Sequence, residues 1–159
     1  VSAKDGDGWV DCVCGNKHWG LFGAAGVALV DKGSILLQLR ASWVHNGGTW
    51  GIPGGARDSH EEIIHAALRE AHEEIGLNPS HVTARREYCD NHGSWSYTTV
   101  ICSIADGYSH ILETLIDPAF HNEETQEMRW VKFTELDSLE LHPSFKKSLP
   151  HLLPIISAI

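Results

Sequence analysis

Glu70 is followed at offsets of three and four by Glu73 and Glu74. In an α-helix those offsets bring side chains to one side, so three carboxylates would crowd together. Such a row is ordinarily a solvated acidic face. Two physical costs argue for more. Like charges at these spacings destabilise a helix, and anions near a helix C-terminus oppose the macrodipole. A hard divalent cation bound through oxygen would reverse both penalties.

The elements that must position this row can be read around it. Ile64, Ala67, Leu68, Ala71 and Ile75 recur at helical spacing and predict a helix over residues 60–75. Ser59 with Glu62, or Asp58 with Glu61, has the capping-box form at its start, and Gly76 stands where a left-handed cap would end it. Upstream, the apolar runs 24–30 and 35–40 flank Asp31-Lys32-Gly33-Ser34 as two strands of a hairpin would. Residues 41–48 read as a loop and 49–52 as a short strand that Pro53-Gly54-Gly55 ends.

Downstream, residues 82–90 and 95–105 alternate as strands, a third strand is expected at about 128–133, and 134–139 and 143–149 read as short helices. Mixed strands with few helices predict an α/β sandwich around a mixed, partly antiparallel sheet. No repeat, low-complexity tract or linker interrupts residues 1–159, so a single domain is expected.

The run Gly55, five residues, Glu61, seven residues, then Arg69-Glu70-Ala71-His72-Glu73-Glu74-Ile75-Gly76-Leu77 resembles the signature box of the Nudix hydrolases over residues 55–77. Seven letters are specified, and chance agreement is about one in 10⁸ per window at ordinary residue usage. The approach Trp50-Gly51-Ile52-Pro53-Gly54-Gly55 is similar to that family too, while 18–20, 23–26 and 95–100 resemble an actinobacterial branch. Ala71 departs slightly, being the smallest aliphatic choice for its place.

The resemblance implies a Nudix α/β/α sandwich and hydrolysis of a pyrophosphate bond in a nucleoside diphosphate linked to another group. It implies that Glu70, Glu73 and Glu74 hold Mg²⁺ or Mn²⁺, which neutralises diphosphate oxygens and acidifies an attacking water. Arg69 would orient Glu70, Glu61 would brace the loop against the helix, and Gly54 and Gly55 would let backbone pass close to metal and phosphate. The general base is left between Glu73 and a glutamate of the loop bearing Glu123, Glu124 and Glu127, with Glu124 preferred.

The chain of 159 residues is 42% hydrophobic and 21% charged, with 12 Lys and Arg against 21 Asp and Glu and a formal charge of −9. A folded protein is expected. Duplex nucleic acid and anionic lipid are disfavoured as partners, whereas a small nucleotide-like substrate brought in by a cation is allowed. No apolar run reaches the roughly 18 to 20 residues of a membrane span, and residues 1–10 lack the layout of a secretion signal. A cytoplasmic location, as monomer or homodimer, is the expectation; Val1 is not an initiator methionine, which leaves a removed leader open.

Cys12, Cys14 and His18 put three soft ligands in seven residues, and Cys89 or His92 would be the fourth of a zinc site. The usual paired knuckles are absent, so idle thiols and no structural zinc are expected. His92 is the histidine expected to approach a substrate. Trp50 and Trp95 are candidates to stack on a base, although core packing is an equally good use of tryptophan. The preferred substrate reads as a nucleoside triphosphate, including oxidised ones, cleaved to monophosphate and pyrophosphate. ADP-ribose or a dinucleotide is the alternative. A Nudix domain retained only as a ligand sensor would show eroded box glutamates, and here they are intact.

Overall fold

In the computed structural model, which describes residues 4–117, 119–120 and 122–159, the apolar runs pair into a mixed sheet. Strands β1 (Trp9–Asp11) and β2 (Lys17–Trp19) form a small antiparallel hairpin of their own. The main sheet contains β3 (Ala24–Asp31), β4 (Ser34–Arg40), β5 (Trp50–Gly51), β6 (Gly54–Ala56), β7 (Val82–Asn91), β8 (Ser96–Ile104) and β9 (Thr125–Lys132). Its order is β5-β4-β3-β8-β7, with β6 also on β3 and β9 also on β4. Only β3 and β8 run parallel; every other pair is antiparallel.

The expected β3–β4 hairpin is present, with Lys32 and Gly33 both at positive φ, as a tight turn of matching twist requires. Its pairing, however, is confined to Val30–Ile35 and Asp31–Ser34. Beyond the turn the strands part, β3 to β6 and β8, β4 to β5 and β9.

Period-two alternation then sends successive residues to opposite layers. Ala25, Val27, Leu29, Leu36 and Val100 meet Ala66, Ala67, Ala71 and Ile75 of helix α1 (Ile63–Ile75). Ala28, Val30, Ile35, Leu37 and Ile101 meet Phe145, Leu149, Leu152 and Ile156 of the C-terminal helix. The result is the α/β/α sandwich expected from the sequence. The alanine face of α1, fully buried at 66, 67 and 71, places no bulky side chain between helix and sheet, so the small residue at 71 suits its place.

Several boundaries differ from the sequence reading, each for a packing reason. Helix α1 begins at Ile63, and Ile64 is 38% exposed rather than part of the buried stripe. No side chain caps it from the Glu62 position, and of the Asp58–Glu61 box only the reach-back bond forms, ahead of the helix. Asp58 accepts the Gly6 N–H at 3.0 Å, Ser59 bonds Asp5, and Glu61 reaches back to the Asp58 N–H at 2.9 Å. Gly54 and Gly55 do not simply end a strand; they make β6, pairing with Gly26 and Ala25.

After β7 and β8 come a single helical turn, α2 (Leu112–Leu115), strand β9, and a 3₁₀ segment at Phe133–Ser138. Helix α3 (Pro143–Ile156) outruns its expected end at Leu149 and contains Pro150 and Pro154. Buried Leu152 and Ile156 continue the apolar spacing, so packing outweighs the lost backbone bonds of each proline. None of the described helices is long and apolar enough to cross a membrane.

Candidate active site

Arg69 organises the helix face. Its Nε donates to Glu61 Oε2 and its Nη2 to Glu61 Oε1, both at 2.7 Å, while Nη2 also reaches the Ala56 carbonyl at 3.0 Å. Nη1 turns the other way, to Glu70 at 2.9 Å and Glu73 at 3.1 Å. This fork needs arginine, because the five donors of a planar guanidinium are divided among three carboxylates and a carbonyl. The Glu61 side chain is fully buried, and the Arg69 hydrogen bonds hold its carboxyl well down, at about 2. Arg69 is pushed up by the same pair.

The carboxylate row is in three different settings. Burial raises Glu70 above the usual carboxylate range, opposed by Arg69. Burial pushes Glu74 up to about 8 despite the Gly54 N–H that it accepts at 2.6 Å, and the neighbouring Glu70 charge adds to the rise. Glu73 is exposed and held by Lys4 at 2.9 Å as well as by Arg69. The three carboxylates are therefore not gathered into one ligand cluster as they stand. The physical reason is that Glu73 finds two cations on the outer side, whereas Glu74 turns inward to the β6 backbone.

The donors fit a hard cation. Two partly buried carboxylates, raised chiefly by burial, with the Glu73 charge adding at Glu70 and the Glu70 charge at Glu74, form a site that a divalent ion would relieve. Gly55 shapes it, since a Cβ there would collide with the Glu70 carboxylate. At Gly54 a Cβ would strike the Tyr97 hydroxyl. Gly76 ends the helix in the left-handed conformation, φ 72°, as expected.

Beside this face lies a cleft of about 310 Å³, whose lining includes Gly54, Gly55, Gln38, Arg40, Tyr97 and Trp95. Trp95 stacks on His18 with ring centres 4.1 Å apart, and His92, also in the lining, meets His18 edge-on at 4.6 Å. Trp95 and His92 therefore both line the cleft. Trp50 does not: it is 7% exposed, packs in the core below α3 and carries the Arg129 guanidinium 4.6 Å over its ring. No base can stack on it, and its candidacy is withdrawn. Its strand is fixed by pairing with β4 and by the Leu141 bridge, and its side chain belongs to the buried cluster that holds Ile35, Leu37, Phe145 and Leu149.

The loop after residue 121 is tied to the end of α1. Asn122 Nδ2 donates to the Glu73 carbonyl at 3.4 Å, and Thr125 Oγ1 donates to Gln38 Oε1 at 3.0 Å with the Glu74 carbonyl 3.4 Å away. Glu124, in this loop, is exposed, and its carbonyl accepts the Ala41 N–H. Three residues of the site were not singled out from sequence. Tyr97, whose phenol burial and the Glu74 and Glu70 charges push up, looked like an ordinary strand aromatic. Arg40 ended a strand. Gln38, 3% exposed, did leave a signal, as the one polar residue inside the run Ile35-Leu36-Leu37-Gln38-Leu39.

Fold and site together define an α/β/α sandwich that sets a carboxylate-bearing helix against the Gly54–Gly55 strand of a cleft. The NUDIX domain model matches residues 21–152, so the chain belongs to the Nudix family. It is 42% identical over 161 residues to a Mycobacterium tuberculosis protein named "Putative 8-oxo-dGTP diphosphatase 3", covering 93% of this chain and 69% of that one. It is 38% identical over 154 residues to a Bifidobacterium longum nucleoside triphosphate pyrophosphatase/Nudix hydrolase fusion protein, spanning 92% of this chain but only 31% of the fusion. Among solved structures, a Nudix hydrolase from M. smegmatis, RenU, superimposes with a TM-score of 0.80 at 39% identity, covering 97% of each chain.

Proposed function

We propose that this protein hydrolyses a nucleoside triphosphate, including oxidised forms, to the monophosphate and pyrophosphate in the presence of Mg²⁺ or Mn²⁺. The observation that carries the reading is the Gly54–Gly55 strand, which lines the cleft and touches both Glu74 and Glu70. A ligand in the cleft therefore meets the glycine strand against which Glu74 and Glu70 are held, although none of the three carboxylates lines the cleft itself. The relative named for 8-oxo-dGTP supports a nucleotide of that kind. The match over 21–152 and the docking of the N-terminal hairpin support reading residues 1–159 as one domain.

Glu70 and Glu74 are the proposed ligands, with Glu73 as the third. When bound, the cation neutralises phosphate oxygens and lowers the pKa of a water. Arg69 fixes Glu70, and Glu61 fixes Arg69. Arg40 lines the cleft as a cation for the phosphate chain, and Trp95, held by His18, offers a face to the base. Water attacks phosphorus, the bridging P–O bond breaks, and Glu124 is the proposed acceptor of the water proton. The loop hydrogen bonds to the end of α1 support that choice over the outlying Glu127, which pairs with Arg129.

The deciding experiment compares kcat/KM for several triphosphates, 8-oxo-dGTP and ADP-ribose under one metal condition, with product identification. A triphosphate releasing pyrophosphate should lead. A tenfold advantage for ADP-ribose, about 1.4 kcal/mol, would reassign the substrate within the family.

A further inference from the structure

The N-terminal hairpin carries a second cluster that the carboxylate site does not use. Cys12, Cys14 and His18 each offer a ligand atom, and these atoms lie within 4.8 Å of one another. The fold brings this about. Cys12 N–H donates to the Asn16 carbonyl and Gly15 N–H to the Cys12 carbonyl, both at 3.0 Å, so the chain turns back between β1 and β2. His18 returns opposite Val10, and its Nε2 stands 3.2 Å from Cys14 Sγ. Cys89, weighed above as a fourth ligand, is not in the cluster.

We propose that Cys12, Cys14 and His18 form a binding site for a thiophilic divalent cation of the zinc class, separate from the carboxylate face. Around tetrahedral zinc, with bonds of about 2.3 Å to sulfur and 2.0 Å to nitrogen, ligand atoms stand about 3.5 to 3.8 Å apart. Closing the observed cluster onto an ion therefore takes movements of roughly an ångström. Two thiolates balance the charge of the ion, and the exposed Cys14 side leaves a fourth position for water. A hard cation such as Mg²⁺ has no preference for this donor set, so the two sites sort different metals. The paired knuckles whose absence spoke against zinc are not needed here, because the turn between β1 and β2 brings the three ligand atoms together.

The position gives the site a consequence. The hairpin docks on the turn between β7 and β8. Cys12 Sγ donates to the His92 carbonyl at 3.1 Å, Val13 N–H to Ser94 Oγ at 3.2 Å, and Trp95 Nε1 to the Trp19 carbonyl at 3.2 Å. Hairpin and turn together wall one end of the cleft, and His18 belongs to both wall and cluster. A bound ion would exchange the Cys12 S–H bond to the His92 carbonyl for a bond from sulfur to metal, and would tie Cys12 and Cys14 directly to His18 of that wall.

The test is a Co²⁺ titration of the reduced, chelator-stripped full chain in saturating Mg²⁺, which keeps the carboxylates occupied. One equivalent should give a sulfur-to-cobalt charge-transfer band with tetrahedral d–d absorption, both erased by added Zn²⁺. Zn²⁺ in large excess over its Kd should also raise the unfolding midpoint by about 5 °C or more. Cys14→Ser, at an exposed position, should lose both effects, as should Cys12→Ser, while Cys89→Ser should keep them. No charge-transfer band in the unsubstituted protein, or an unchanged band in Cys14→Ser, overturns the proposal. Since absorption and stability are read without substrate, the result is independent of the reaction proposed above.

Discussion

Replacing Glu61 by glutamine isolates the ion pair on which the helix face is built. The carboxylate accepts from Arg69 Nε and Nη2, each at 2.7 Å, from Asp58 N–H at 2.9 Å, and stands 3.0 Å from His65 Nδ1. An amide keeps one acceptor oxygen and turns an NH₂ toward a donor, so a buried group is left opposed. The drop of the carboxyl from an ordinary 4.5 to about 2 corresponds to about 3 kcal/mol of native-state preference for the charged form. Arg69 is 20% exposed and keeps Glu70, Glu73 and the Ala56 carbonyl. We therefore expect a loss nearer 2 to 3 kcal/mol at pH 7, or about 5 to 10 °C in the unfolding midpoint.

The sign of the pH dependence follows from a depressed carboxyl. The stabilisation is complete above the unfolded value of 4.5 and drains away as pH falls toward the folded value of about 2. Denaturant unfolding of both proteins from pH 7 to pH 2.5 measures this directly. The gap should be constant above pH 5 and narrow below it. A gap under about 0.5 kcal/mol at pH 7, or one that does not narrow in acid, would refute the argued role of the pair.

Glu74→Gln should abolish turnover in saturating Mg²⁺ while the unfolding midpoint stays within a few degrees, because the amide oxygen can still accept the Gly54 N–H; retained turnover counts against Glu74 as a ligand. Trp95→Ala should raise KM by about tenfold, whereas Trp50→Ala should destabilise by about 3 to 5 kcal/mol, as measured by steady-state kinetics and chemical unfolding side by side. His142 caps α3 by accepting the Ser144 N–H at Nδ1, and burial holds its imidazole down at about 4 from 6.5. Protonation removes that acceptor, so stability should fall as pH drops from about 6.5 to about 4, by about 1 to 2 kcal/mol once solvent screening of the part-exposed ring is allowed for. His142→Asn, which keeps a capping acceptor and does not titrate, should flatten this part of the profile; an unchanged slope would clear His142.

Helix α1, its carboxylate row and its Gly76 cap were legible in the sequence, because helix periodicity and capping are local. So were the strands themselves, as apolar runs at 24–30 and 35–40 and as alternation at 95–105, but the division of β3 between two cores was not, since every residue of its run is apolar or small and both faces are covered. Other assignments depended on residues far apart in the chain. Asp58, Ser59 and Glu61 resembled a helix cap, yet Gly6, Asp5 and Arg69 claimed them. Trp50 and Trp95 had the same claim on a base, until the cluster of Ile35, Leu37, Phe145 and Leu149 buried the first and the β7–β8 turn left the second on the cleft. Composition and spacing determined the layers, the acidic helix and the chemistry it suits. Which aromatic faces the cleft, which carboxylates turn inward and how the N-terminal cysteines meet a histidine were decided only by tertiary structure, because competition among partners for one side chain is resolved by their positions in space.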